Sequence, residues 1–176
     1  MKTLIIHPQD ASTDFLKPIY NNIEDKTVLT GGTRQEVIQE IEKHDRIMMM
    51  GHGSPSGLFS IGKFDSTYAI DDSLVELLKE KECVFIWCNA DRFVERHDLK
   101  GFYSGMFVSE VSEANYCGFY TDQATVDESN NSFALWLGEA INNPLSEAYS
   151  ALLPKYQMLA KANKVAAYNQ QRLYLK

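Results

Sequence analysis

Short apolar runs alternate with amphipathic stretches along most of this chain. Two of the runs, residues 47–50 and 84–87, are apolar throughout, and runs of this kind predict strands buried on both faces. Between them and before them, apolar residues recur at helical spacing, most clearly after Thr33, where Glu36 occupies the capping-box position. The alternation predicts right-handed crossovers and a mainly parallel sheet.

The same patterns predict the remaining elements. Strands are expected at residues 2–7, 27–30, 46–50, 83–87, 102–109 and 172–175, the last antiparallel at one edge, with a hairpin from 58–61 and 67–70. Helices are expected at 14–23, 33–44, from Asp71 or Asp72 onward, at 112–116, at 129–141, and from a start at Asn143 and Pro144 to a break at Pro154. The fold class is therefore α/β, a single three-layer α/β/α domain over residues 1–176.

Composition narrows the classes of partner. The net charge of −7 and the pI near 5.1 disfavour binding to nucleic acid. The apolar runs fall far short of the roughly 20 residues that a membrane-spanning helix needs. The run at residues 4–6 is too short for a secretory signal, and three cysteines suit a reducing compartment, so we expect a cytoplasmic protein.

Two chemically reactive residues follow the two most apolar strands. His52 comes after the strand at residues 46–50, and Cys88 comes after the strand at 83–87, 36 positions further along (88 minus 52). Functional groups gather at the carboxyl ends of parallel strands, and this spacing fits one hairpin and one crossover helix between neighbours. A histidine within reach of a cysteine can assist its attack and later protonate a leaving amine. The amides of Gly53 and Cys88 are candidate donors to an oxyanion.

These residues resemble the caspase-like (clan CD) cysteine peptidases, a group that includes caspases, metacaspases and gingipains. In that group an apolar strand ends in His-Gly, a hairpin and a helix follow, and a second apolar strand ends in the nucleophilic cysteine. The resemblance implies a caspase-like fold, a peptide or protein substrate, His52 as general base and acid, Cys88 as nucleophile and Gly53 as an oxyanion donor.

The neighbouring residues depart from the family in two places. Ile86 stands where metacaspase-like enzymes carry an acidic residue, and Trp87 stands where caspases have a small one. Neither basic nor aspartate specificity is therefore expected. Asp10, Trp87, Asn89 and Asp91 are the candidates for lining the substrate cleft, and Asn89 and Asp91 are equally suited to capping a helix.

Three readings of function stay open at this point. The first is a cysteine peptidase acting through a Cys88 thioester. The second is a catalytically inactive binding or scaffold protein of the same fold, and the third is a nucleotide- or flavin-binding domain. No cofactor is expected. No metal is expected either, because His7, His44 and His97 have no cysteine or carboxylate at a ligand spacing. The pattern does not indicate an oligomeric state.

Overall fold

The computed structural model describes residues 1–176, which form two compact units. The first comprises Met1–Asp14, Ile23–Gly105 and Tyr174–Lys176, and the second comprises Phe15–Asn22 and Met106–Leu173. Every candidate site residue belongs to the first unit. The prediction of one domain over residues 1–176 stays a prediction.

Nine strands form two sheets. In chain order they are β1 (Thr3–Ile6), β2 (Lys26–Leu29), β3 (Arg46–Met50), β4 (Gly53–Ser54), β5 (Gly57–Phe59), β6 (Tyr68–Ile70), β7 (Glu82–Ile86), β8 (Phe102–Ser104) and β9 (Leu173–Leu175). The large sheet has the order β2-β1-β3-β7-β8-β9, and the small one has the order β4-β5-β6.

The large sheet is mainly parallel, as predicted. β1 pairs in parallel with β2 and β3, β3 with β7, and β7 with β8. Gly101 and Lys176 exchange two hydrogen bonds of 3.1 Å, which is the pattern of an antiparallel pair, so β9 closes one edge in the opposite direction. Helices flank this six-stranded sheet, and the predicted α/β class is confirmed.

Eight α-helices complete the secondary structure. They are α1 (Pro18–Asn21), α2 (Arg34–Lys43), α3 (Val75–Leu78), α4 (Ala90–Arg96), α5 (Val111–Tyr116), α6 (Gln123–Ala140), α7 (Leu145–Ala160) and α8 (Lys164–Gln170). Two 3-10 helices cover Ala11–Leu16 and Asp72–Leu74. None of the eight α-helices combines the length and the apolar character that crossing a bilayer requires.

The central strands β1, β3 and β7 are buried on both faces. Ile47 and Phe85 belong to one apolar cluster, together with Ile41 of α2 and Phe93 of α4. The side chains that alternate with them, such as Met48 and Val84, are fully buried as well. Near-continuous burial explains why these strands read as unbroken apolar runs rather than as an alternating pattern.

The capping box predicted at the start of α2 is confirmed. The Thr33 hydroxyl accepts from the Glu36 amide at 3.2 Å, and the Glu36 carboxylate accepts from the Thr33 amide at 2.7 Å. This reciprocal pair satisfies two backbone donors that the helix itself cannot, and it fixes where α2 begins.

The helices of the second unit differ from the predictions at three points. α6 begins after Asp122, whose carboxylate accepts from the Thr125 amide at 2.8 Å, six residues before the predicted start. Pro144, and not Asn143, occupies the cap position of α7. α7 then continues through Pro154, because buried Leu152 and Tyr156 lie on either side of the proline and packing there offsets the lost backbone bond.

The predicted and observed elements also differ in other parts of the chain. The helix expected at residues 14–23 is divided between a 3-10 helix and α1, and β8 ends at Ser104 rather than at Ser109. Three elements were not predicted: the helix α4, the helix α8, which is capped by Asn163, and the two-residue strand β4.

Candidate active site at the carboxyl edge of the sheet

The pairing of β3 with β7 places His52 and Cys88 at equivalent positions on neighbouring strands. Arg46 pairs with Glu82, and the register continues without a break to Met50 and Ile86. The Gly51 amide then donates to the Ile86 carbonyl at 3.0 Å, which extends the pairing by one more residue. His52 and Cys88 each lie two positions beyond the last registered pair. Adjacent parallel strands are about 5 Å apart, so both residues leave the sheet at the same edge and at the same level.

Cys88 occupies a tight turn between β7 and α4. The Ala90 amide donates to the Trp87 carbonyl at 3.2 Å, so that Cys88 and Asn89 are the central residues of the turn. Asn89 has φ 64° and ψ 31°, the left-handed conformation that asparagine tolerates better than most residues. Cys88 is partly exposed, unlike the buried Ile86 and Trp87 that precede it.

The neighbouring strand β8 fixes this turn. The Gly105 carbonyl accepts from the Asn89 amide at 3.1 Å, and the Ser104 hydroxyl donates to the Trp87 carbonyl at 3.0 Å. Strain at a left-handed residue persists only where the surroundings determine the backbone, and here hydrogen bonds to the consecutive residues Ser104 and Gly105 do so.

The other cysteines have different surroundings. Cys83 lies inside β7, is fully buried, and donates to the Leu78 carbonyl at 3.6 Å. Burial raises the pKa of the Cys83 thiol to about 12, because a thiolate there would lose its hydration. Cys117 is partly exposed and belongs to the second unit. Of the two cysteines in the first unit, only Cys88 is accessible to a reagent.

The His52 ring is bound by the loop that follows β1. Its Nε2 lies 2.7 Å from the Ser12 hydroxyl and 3.9 Å from Asp10 Oδ2. The side chains of His52 and Asp10 are 27% and 28% exposed, so the contact is shielded from water without being sealed from it. Asp10, proposed from the sequence as a cleft residue, is thus brought to the histidine.

Asp10 and Ser12 form a compact turn of their own. The Ser12 amide and the Ser12 hydroxyl both donate to Asp10 Oδ1, at 2.9 and 2.8 Å. These donors, the amide first, lower the pKa of the Asp10 carboxyl below its ordinary 3.8, and the nearby rings of His52 and His7 add to the effect. The carboxylate is therefore ionised at neutral pH.

A second histidine, His7, contacts the loop that follows β1. Buried His7 lies directly after β1, and its Nε2 is 3.0 Å from the Thr13 hydroxyl. Thr13 in turn donates to the Asp10 carbonyl from both its amide and its hydroxyl, each at 3.1 Å. Asp10 is consequently fixed through its backbone as well as through its side chain.

Gly53 lies against the indole of Trp87, which is 1% exposed. A Cβ at Gly53 would approach Trp87 Cδ1 to 2.3 Å, so only glycine fits at this position. The Trp87 Nε1 donates to the Ser54 carbonyl at 3.0 Å and ties β4 to β7. In this structure Trp87 supports the backbone of the site from within the core.

The hydrogen-bond pattern of β4 and β5 directs the Gly53 amide. The Phe59 amide donates to the His52 carbonyl at 2.9 Å, so His52 and Phe59 form a hydrogen-bonded pair. Bonded and non-bonded pairs alternate along an antiparallel ladder, and Gly53 opposite Leu58 is the next pair. The Gly53 amide therefore points away from β5, as a donor to an oxyanion would have to.

Asn89 and Asp91 lie just beyond the turn. Asn89 stands at the cap position of α4, but its side chain makes no capping hydrogen bond. Asp91 is in the first turn of α4, and its Oδ1 is buried without a hydrogen-bond partner. Both residues follow Cys88 closely along the chain.

Ser12 is the residue at this edge that the sequence did not reveal. Asp10 and Ser12 have the spacing of a turn in which an aspartate accepts from a residue two positions on. That signal was present after β1, but nothing in the sequence showed that His52 would contact this turn.

No group of three or more histidine, cysteine, aspartate or glutamate residues is arranged to hold a metal ion. Comparisons with protein-family models, with curated proteins and with solved structures give no match for this chain.

Proposed function

We propose that this protein is a cysteine peptidase in which Cys88 is the nucleophile and His52 is the general base and acid. The observation that carries the proposal is the unbroken register of β3 and β7, which puts the two residues at matched positions on one edge of the sheet. The element order supports it too, since β3, the β4–β5 hairpin, α3 and β7 follow one another as the caspase-like resemblance requires.

The first half of the proposed reaction forms an acyl-enzyme. His52 takes the proton of the Cys88 thiol, and the sulfur attacks the carbonyl carbon of a peptide bond. The carbonyl oxygen becomes an oxyanion, which the Gly53 amide stabilises. As the carbon–nitrogen bond breaks, His52 returns the proton to the departing amine, and a thioester stays on Cys88.

The second half releases the product. His52 removes a proton from a water molecule, whose oxygen attacks the thioester carbonyl. The carbon–sulfur bond breaks, a carboxylic acid leaves, and His52 gives the proton back to the sulfur. The protein ends unchanged, and one peptide bond has been exchanged for an amine and a carboxylic acid.

Labelling with iodoacetamide tests the assignment of the two residues. Cys88 should be alkylated first at neutral pH, because the proposed base His52 assists it alone, and because Cys83 is buried with a raised pKa. His52→Ala should slow alkylation by about 100-fold or more, the range expected for loss of general-base assistance. Peptide mass mapping after timed quenching gives the rate at each cysteine.

Two matched variants serve as controls. His97 is the matched control for His52, because its Nε2 also contacts a carboxylate, 2.9 Å from Asp72, and the proposed mechanism does not use it. His97→Ala should therefore leave the rate of Cys88 alkylation unchanged. Cys117→Ser removes the other partly exposed thiol and should not alter the rate either. Alkylation of Cys83 or Cys117 as fast as Cys88 would contradict the assignment.

Turnover requires a second measurement, since Ile86 favours an alternative. Ile86 is 2% exposed and apolar, and it offers no acidic group to a basic substrate side chain. A diverse peptide library should be cleaved by the wild-type protein and not by Cys88→Ser. Reactive Cys88 without any cleavage would instead support a protein that binds peptides and no longer hydrolyses them.

A further inference from the structure

We propose that Ser12 is a positioning residue for His52, which together with Asp10 fixes the imidazole tautomer with hydrogen on Nε2 and leaves the lone pair on Nδ1. The inference about the tautomer follows from hydrogen bonds in the β1 loop. Its consequence for catalysis rests on the proposed function, because Nδ1 then becomes the nitrogen that accepts the Cys88 proton.

The argument starts from the single hydroxyl proton of Ser12. Ser12 Oγ lies within hydrogen-bond distance of two groups, Asp10 Oδ1 at 2.8 Å and His52 Nε2 at 2.7 Å. An ionised carboxylate accepts hydrogen bonds and donates none, so the Ser12 proton goes to Asp10. The contact with His52 is then a hydrogen bond only if the Nε2 carries the hydrogen.

The same arrangement serves the charged form of the ring. When His52 takes a proton on Nδ1, Nε2 keeps its hydrogen bond to Ser12. Asp10 Oδ2, 3.9 Å away, then faces an imidazolium of opposite charge. The loop therefore accommodates both protonation states without moving, which is what a residue that gains and returns a proton requires.

A second turn of the same kind in the first unit shows that the turn forms without a histidine, so the contact between Ser12 and His52 is not a part of the turn itself. Ser73 donates to Asp71 Oδ1 from its amide at 3.0 Å and from its hydroxyl at 2.6 Å, as Ser12 does to Asp10. No histidine contact accompanies the Ser73 hydroxyl. Ser73→Ala thus breaks the same kind of turn without affecting His52, and it is the matched control.

Ring ¹⁵N NMR of histidine-labelled protein tests the tautomer directly. The chain has four histidines, and the His52 signals are assigned by their loss in His52→Gln. In the wild-type protein, at a pH where the His52 ring is uncharged, Nε2 should have the shift of a protonated nitrogen and Nδ1 that of an unprotonated one. Ser12→Ala should move both signals toward the average of the two tautomers, Ser12→Thr should restore them, and Ser73→Ala should leave them unchanged.

The rate of Cys88 alkylation tests the consequence. Ser12→Ala should lower it about fivefold, the effect of losing one ordinary hydrogen bond, and Ser12→Thr should recover it. A wild-type ring with hydrogen on Nδ1 and none on Nε2, or His52 signals indifferent to Ser12→Ala, would overturn the proposal, and the first of these needs no variant. A tautomer that depends on Ser12, beside alkylation that does not depend on His52, would support the positioning role and overturn the proposed function.

Discussion

Two turns in the first unit have the same local structure and different partners. Asp10 and Ser12 follow β1, and Asp71 and Ser73 follow β6. In each, the serine amide and hydroxyl donate to one oxygen of the aspartate, and a 3-10 helix begins at the next residue. The spacing of aspartate and serine specifies the turn in both places.

The second carboxylate oxygen distinguishes them. Asp71 Oδ2 accepts from Arg34 at 2.6 Å, and the Arg34 guanidinium also donates to the Tyr68 carbonyl at 3.1 Å. Asp10 Oδ2 faces the His52 ring. A guanidinium stays charged at any ordinary pH, whereas an imidazole gains and loses a proton near neutrality. One motif therefore anchors a helix to a hairpin, and the other presents a carboxylate to a titratable ring.

The largest effect expected from this comparison is on stability, at Arg34. Arg34→Met removes the hydrogen bonds to Asp71, Ser66 and the hairpin backbone while keeping the length of the stem. The free energy of unfolding should fall by about 2 to 3 kcal/mol, measured by urea denaturation. The Cys88 alkylation rate of the folded variant should match that of the wild-type protein. A large loss of reactivity would mean that the two turns are not independent.

An intermediate effect separates the two aspartates. Asp71→Asn should lower the free energy of unfolding by about 1 to 2 kcal/mol, because Arg34 loses its charged partner. Asp10→Asn should cost less stability and should slow Cys88 alkylation, since the turn keeps an acceptor oxygen and His52 loses a negative charge. Urea denaturation ranks the two variants by stability, and timed alkylation ranks them by Cys88 reactivity; the two rankings should be opposite. If one variant loses more stability and also more Cys88 reactivity than the other, the comparison of the two turns is wrong.

The smallest effect is a pH dependence at Asp10. Its pKa is lowered in the folded protein from 3.8, so the unfolded chain binds the proton first as the pH falls. The stabilisation by ionised Asp10 is thus complete well above 3.8 and is lost as the pH falls through the lower folded pKa. The difference in unfolding free energy between wild type and Asp10→Asn should shrink as the pH falls below about 4.

A variant of the donor sharpens this last test. In a Ser12→Ala background the hydroxyl donor is gone and the amide donor remains, so the same difference should be smaller across the whole range. A difference that grew as the pH fell below about 4 would reverse the sign and contradict the lowered pKa of Asp10.

The strands at the centre of the sheet were predictable because burial on both faces leaves an unmistakable pattern. β3 was predicted at its observed bounds, and the capping box of α2 and the edge strand β9 were also confirmed. The elements that differed depend on packing across the chain. Pro154 continues a helix because of buried neighbours, and β4 is a two-residue strand held by the Trp87 indole, neither of which local sequence encodes.

The site divides in the same way. The positions of His52 and Cys88 could be predicted from the sequence, since each residue follows an apolar strand and the register depends on the strands themselves. Ser12 was not, because its contact with His52 joins residues 40 positions apart through the geometry of a loop. A local sequence motif predicts that a turn forms. Which residue contacts that turn depends on which loops lie together at the edge of the sheet.

The burial of Trp87 makes the site optically observable. The chain contains two tryptophans, so a Trp136→Phe variant would leave a single indole, packed against Gly53 and bonded to Ser54. Its fluorescence would come from a dry environment directly behind the candidate cleft. Any compound or substitution that loosens β4 would let water reach the ring and shift the emission to longer wavelength, with no need for a substrate.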